Sequence, residues 1–130
     1  MAIVDTVIAL LVVEATWTTL ELSMPSVHVN IDDANVIPAI ILKESMETTE
    51  SESNDETLLI INTLLEIDII ANASEDLASY VTAVDTIIRG LNTTNNYSIF
   101  FKSRKNETNE NEMSFRAKLV YSVMHLEARS

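Results

Sequence analysis

Three hydrophobic rhythms follow one another between Val36 and Leu91. A short strand-like run comes first, Val36-Ile37-Pro38-Ala39-Ile40-Ile41-Leu42. An acidic, polar tract without periodicity follows from Glu44 to Glu56, and then a very apolar segment from Leu58 to Ala71. In that segment Leu59, Ile61, Leu65, Ile67 and Ile69 share one parity. Leu58, Ile60, Asn62, Leu64, Glu66, Asp68 and Ile70 share the other. One face is apolar and the other mixed, the pattern of a central strand packed on helices behind and meeting a neighbour or solvent in front. Next, Leu77, Val81, Val84, Ile88 and Leu91 repeat at spacings of four, three, four and three, which predicts a helix over 75–89. Ser74 is its expected N-cap, and Glu75 and Asp76 suit the positive end of its dipole. Arg89 falls in the last turn, and Gly90 is expected to close the helix in the left-handed conformation.

The flanks extend the pattern. Ile3, Val7, Leu10, Leu11 and Ala15 fall on one side of a first helix running to about Thr16. Val12, Val13, Thr16, Thr18 and Thr19 are β-branched and make a strand the rival reading there. Trp17 is expected to pack at the end of that helix. Ser26 to Ile31 alternates, with Val27, Val29 and Ile31 on one face of a half-buried strand. Asp32-Asp33-Ala34-Asn35 supplies turn chemistry, and Pro38, which cannot donate to a ladder, marks a strand entrance or an edge. Asn96–Ser103 and Met113–Ala128 are predicted as closing strands. In the last, Phe115, Ala117, Leu119, Tyr121 and Val123 share a face, and Arg116, Lys118 and Val120 point the other way. The stretch from Arg104-Lys105-Asn106 to Glu112 is too long for a tight turn and is expected to be a flexible arm. The predicted class is α+β: a mixed, mainly antiparallel sheet with two helices on one face and long flexible inter-strand loops.

Composition narrows the function. The chain of 130 residues matches one domain, and 47% hydrophobic residues is a globular content. A single Gly argues against phosphate-cradling loops, and the absence of Cys removes disulfides, thiolate zinc sites and cysteine nucleophiles together. With 20 acidic against 8 basic residues the net charge is −12. Tight binding to a phosphate backbone is disfavoured, because that affinity comes from Lys and Arg displacing counterions. Solubility is the plain use of such charge, and a surface that repels DNA also suits a passage through which DNA slides. Val7 to Val13 is apolar, but Asp5 precedes it, Glu14 ends it and no basic residue comes before it. Neither a signal peptide nor a membrane span of about 20 apolar residues is expected. Sequons at Asn72, Asn92, Asn96 and Asn106 are read as a by-product of a chain rich in Asn, Ser and Thr.

Little in the chain resembles catalytic equipment. His28 and His125 fall on separate predicted strands with no His or Cys at ligand spacing. Glu44, Glu47, Glu50, Glu52, Asp55 and Glu56 crowd the polar tract, where a solvated loop is expected and weak capture of divalent cations is the alternative. There is no nucleophile elbow, no P-loop and no dinucleotide fingerprint. No catalytic residue, cofactor or metal site is expected, and the chain is read as a non-enzyme.

The order helix, strand, strand, acidic loop, strand, helix, strand, strand resembles the tail terminator proteins of long-tailed bacteriophages, the group that includes the lambdoid minor tail protein U. Three places carry the likeness: the acidic turn leading into a Pro-apolar strand at Ile31–Leu42, the polar loop entering the long strand and then the helix at Thr57–Ala71 and Ser74, and the closing strand Phe115–Val123. The resemblance covers most of the chain and implies a single structural domain over 1–130. It also implies a homo-oligomeric, six-membered ring that caps the tail tube, ends its polymerisation and offers a face to the head connector. Neck and tail-completion proteins use the same fold. The implied partners are the tail tube protein and the head-connector or neck protein, with DNA only as passing cargo and no membrane. The implied location is the virion tail, assembled in the host cytoplasm. A ring needs a heterologous interface, and Glu66 and Asp68 are its candidate residues together with Arg116 and Lys118, meeting within the sheet or across the ring. Glu47, Glu50, Glu52, Asp55 and Glu56 in the acidic loop, with Arg104 and Lys105 in the arm, are candidates to face a partner or the lumen. Two alternatives stay open: a secreted or surface-exposed acidic binding domain, and a dimeric α+β interaction module.

Overall fold

The computed structural model describes residues 3–31, 36–50, 58–91, 97–109 and 114–128. Its centre is the apolar strand β3, Leu58–Ala71, hydrogen-bonded on both sides. On one side lies β2 (Ala39–Glu50), antiparallel; on the other lies β5 (Ser114–Ala128), also antiparallel. The edges are β1 (Ser26–Val29), parallel to β2, and β4 (Tyr97–Asn109), antiparallel to β5. The result is an open five-stranded mixed sheet in the order β1-β2-β3-β5-β4, mostly antiparallel. The predicted α+β class and strand count hold.

All helices lie on one face. Leu65, Ile67 and Ile69 of β3 are buried against them, with Ile40 and Leu42 of β2 and Ala117, Leu119, Tyr121 and Val123 of β5. The predicted stripe of α3 (Ser74–Gly90) is the matching surface: Leu77, Val81, Val84, Ile88 and Leu91 are all buried, joined by Tyr80 and Ala83. Two end signals of this helix differ from expectation. Ala73, extended and without a side-chain cap, precedes it, so Ser74 is its first residue and not its N-cap. Gly90 stays within the helix, and Leu91 closes it at φ −83°, with its N–H bonded to the Ile88 carbonyl. Right-handed closure keeps Leu91 in the core, so no left-handed residue is needed there.

The first helix is shorter than predicted, and a second follows. α1 spans Ile3–Leu11 and α2 spans Glu14–Thr19, giving three helices among the described residues. Ile3, Val4, Val7 and Leu11 are buried, whereas Leu10 is exposed. The break falls at Val12-Val13, where β-branching weakens the helix. There the Trp17 indole N–H donates to the Leu11 carbonyl at 2.8 Å in the buried interior. That bond satisfies one of the carbonyls every helix end leaves open, and places Trp17, 1% exposed, at the end of α1 as expected. Trp17 packs on Tyr80 of α3 with ring centroids 5.6 Å apart, and the Tyr80 hydroxyl donates to the Ser23 carbonyl. α2 ends with Glu21 at φ 59°, the Leu22 N–H reaching the Trp17 carbonyl and the Glu21 N–H reaching that of Thr18. A Schellman closure of this kind usually takes Gly at the left-handed position.

The polar tracts are the main correction. Glu44 to Glu50 is not loop but the second half of β2, paired with β3 as far as Glu50 opposite Ile60, with an irregularity between Met46 and Thr48. Likewise Arg104 and Lys105 lie on β4, which runs to Asn109 with a bulge between Phe101 and Ser103, and are not part of a free arm. The cause is backbone demand. A long apolar strand exposes a donor and an acceptor at every residue, and pairing satisfies them whatever side chains the neighbour carries. Residues 51–57 and 110–113, with Glu52, Asp55 and Glu56, lie outside the described residues, as does the predicted turn at 32–35. Ile67→Ala should cost about 2–5 kcal/mol, read as a lower urea midpoint. Val36→Ala, 64% exposed, should change it by under about 0.5 kcal/mol.

Candidate functional site

The sheet face opposite the helices is ordered by register into rows. Ala39, Ile70, Arg116 and Glu107 form one; Ile41, Asp68, Lys118 and Lys105 the next; Lys43, Glu66, Val120 and Ser103 the third. Ser45, Leu64, Ser122 and Phe100 follow. The two halves of this surface differ. Ala39, Ile41 and Ile70 make a small buried cluster capped by Ile37 on the approach to β2. Ser26 holds that approach, its N–H donating to the Pro38 carbonyl at 3.0 Å. Beyond it, Lys43, Lys105, Arg116 and Lys118 bring four of the chain's eight basic residues onto one face.

The four proposed interface residues are therefore neighbours, but not in two simple pairs. Asp68 is directly opposite Lys118, whereas Glu66 is opposite Lys43 on β2 and Val120 on β5, and Arg116 is opposite Ile70. Asp68 is 4% exposed, and its Oδ1 has no hydrogen-bond partner. Burial pushes its carboxyl above the ordinary carboxylate range, against the opposing pull of Lys118, Arg116 and Lys43. The cations thus offset the desolvation of Asp68 only in part. Lys105, read from sequence as part of the arm, lies opposite Lys118 and pairs with Glu107 at 3.3 Å. Two lysines directly opposite each other repel. Parity alone could not place Lys105 in this row, because the β4 bulge decides which β4 residue meets Lys118.

A second polar group joins the helix layer to the sheet. The Tyr121 hydroxyl donates to Asp85 Oδ1 at 2.6 Å, and Arg89 Nε donates to Asp85 Oδ2 at 2.7 Å. Burial and the bond to Asp85 hold the Tyr121 phenol above its ordinary range. The spacing of Asp85 and Arg89 is one helical turn and legible in sequence; the tyrosine is not. The two histidines are apart: His28 on β1 contacts Ser26 Oγ at 3.0 Å, and His125 is on β5. Among the described residues no group of three or more His, Cys, Asp or Glu is placed to hold a metal ion. No described helix is long and apolar enough to cross a membrane.

No protein-family model and no curated protein sequence matches the chain. Among solved structures, a chain of the "Virion of native gene transfer agent (GTA) particle" superposes with a TM-score of 0.68. The match covers 93% of this chain and 92% of that one at 16% sequence identity. The two chains share one fold. At this identity the likeness is one of architecture.

Asp68→Asn tests the balance around the buried carboxyl. A folded-state pKa raised above the unfolded value means that ionisation opposes folding. The penalty is fully present above the folded pKa and vanishes below the ordinary value of 3.8. Asp68→Asn should therefore gain stability relative to the parent at pH 7, and this gain should shrink towards pH 3.5 in paired urea titrations. Tyr121→Phe should lose about 1.5–3 kcal/mol, since the deleted bond runs to a charged carboxylate.

Proposed function

We propose that this chain is a non-catalytic structural protein of a phage-like virion, acting as a ring at the end of the tail tube. The supporting observation is the shared fold: nearly the whole of each chain superposes, and the neighbour is part of a virion. The order of elements that resembles tail terminators is the order found, with helices, two strands, the central strand, a helix and two strands. In this reading the ring ends tail polymerisation and presents a surface for joining to the head, with tail tube and connector proteins as partners. The net charge of −12 keeps passing DNA from sticking.

The open sheet face is the natural place for contact between copies, with Glu66, Asp68, Arg116 and Lys118 at its centre. An ordinary monomer leaves such a face solvated, but a ring has to cover part of two different surfaces on every subunit. Native mass spectrometry with negative-stain imaging at high protein concentration, with divalent cations to screen the charge, tests the reading. A six-membered ring with a central hole is the expected particle, and a stable two-fold dimer would replace this reading with that of an interaction module. Reversing the charges of Arg116 and Lys118 to Glu should weaken assembly. Unchanged assembly would remove both from the interface.

A further inference from the structure

The two layers carry different surfaces. On the helix side a groove of about 790 Å³ runs between α2 and α3, lined by Ala15, Leu20, Leu22, Ala78, Ala83 and Ile87 among others. Its borders are acidic: Glu14 and Glu21 flank the α2 wall, and Glu75 lies one turn before Ser79 in α3, all three exposed. No basic residue occurs before Lys43, nor between Lys43 and Arg89, so nothing in α1, α2 or the first four turns of α3 offsets these charges. On the open sheet face Phe100 is 59% exposed. Lys118, Lys105 and Arg116 lie two and three rows away from it.

We infer that copies of this chain join head to tail, with Phe100 on the open sheet face of one copy seated in the α2–α3 groove of the next. The inference rests on the assembly reading above and names the two surfaces involved. An exposed aromatic ring meets an apolar groove, and Lys105, Lys118 and Arg116, which share their face with Glu66, Asp68 and Glu107, come within reach of the carboxylates at the groove's border. Spacing agrees as well. From the row of Phe100 to that of Lys118 is four residues of β5, about 13 Å. From Ala78 to Ile87 the groove floor extends about 14 Å along α3, with Glu75 just beyond. Carboxylates from a second copy would also relieve the repulsion between Lys105 and Lys118. Because the two patches differ and lie on opposite layers, the contact is heterologous and either closes into a ring or continues as an open chain.

The test uses one variant for each half of the contact. Phe100→Ser removes the inserted ring and leaves the groove; Ala78→Trp fills the groove and leaves Phe100. Both positions are exposed, so each variant should keep the parental melting temperature, and Ser79→Trp serves as a second groove-filling variant should Ala78→Trp unfold. By native mass spectrometry the parent should assemble and each variant alone should fall to monomer mass. An equimolar mixture of the two should form a one-to-one dimer and nothing larger, since only one productive junction remains. Parental assembly by either variant alone, a mixture that stays monomeric, or a parent that never self-associates overturns the inference. A closed ring that both variants preserve would leave the ring reading standing without this contact. An open chain that the variants break as described would keep the contact and remove the ring.

Discussion

Most of this fold follows from the two-sided hydrogen bonding of β3. The strand is 14 residues long and lies third of five in the sheet. Every N–H and C=O along it needs a partner once its apolar parity is buried under the helices, because an unpaired backbone group costs as much as a lost hydrogen bond. That demand draws β2 and β5 out to matching lengths, and β5 in turn draws out β4. Polar residues that would remain solvated on their own, such as Thr48, Thr49, Arg104 and Asn106, thereby become ladder residues. β3 also sets the contents of the open face. Its even-numbered residues put Asp68 and Glu66 in the middle of the sheet, where neighbouring strands must supply the compensating cations.

Charge is unevenly divided between the two layers. The helices are acidic until Arg89, while the open face gathers Lys43, Lys105, Arg116 and Lys118 together with Glu66, Asp68 and Glu107. This division explains why a chain of net charge −12 need not repel its own copies in every orientation. Two acidic helix layers brought face to face would repel, whereas the sheet face, which carries charges of both signs, would not repel a helix layer. The layers are tied together by Asp85, which receives hydrogen bonds from Tyr121 of the sheet and Arg89 of its own helix. Asp68 shows the limit of such compensation: three cations surround it, yet its burial still raises its pKa.

A shared architecture at 16% identity is informative about shape and silent about particular contacts. What such chains share is the layer arrangement, which many side-chain sets can fill. Function on a common fold resides in the surfaces grafted onto it. For this chain the surfaces of distinct character are the open face with its four cations, the exposed Phe100 and the groove between α2 and α3.

What the chain's own pattern determined is the identity of its elements and the direction of their faces. The 3.6-residue stripe of α3, the apolar parity of β3 and the Phe115–Val123 face of β5 were each legible, because burial imposes a strict period on local sequence. Local pattern also misled in definite places. Polarity at 44–50 and 104–109 suggested loops, Gly90 suggested a left-handed cap, and Ser74 suggested an N-cap. In three of these places a non-local partner prevailed: an adjacent strand for the first two, and the buried seat of Leu91 for the third; nothing comparable in the structure explains Ser74. The open-face surface was only half visible. Arg116, Lys118, Glu66 and Asp68 could be placed on one side of their strands from parity alone. Which cation faces Asp68, and that Lys105 faces Lys118, depended on register and on the β4 bulge. Register is decided when strands distant in sequence meet, so only the tertiary structure could supply it.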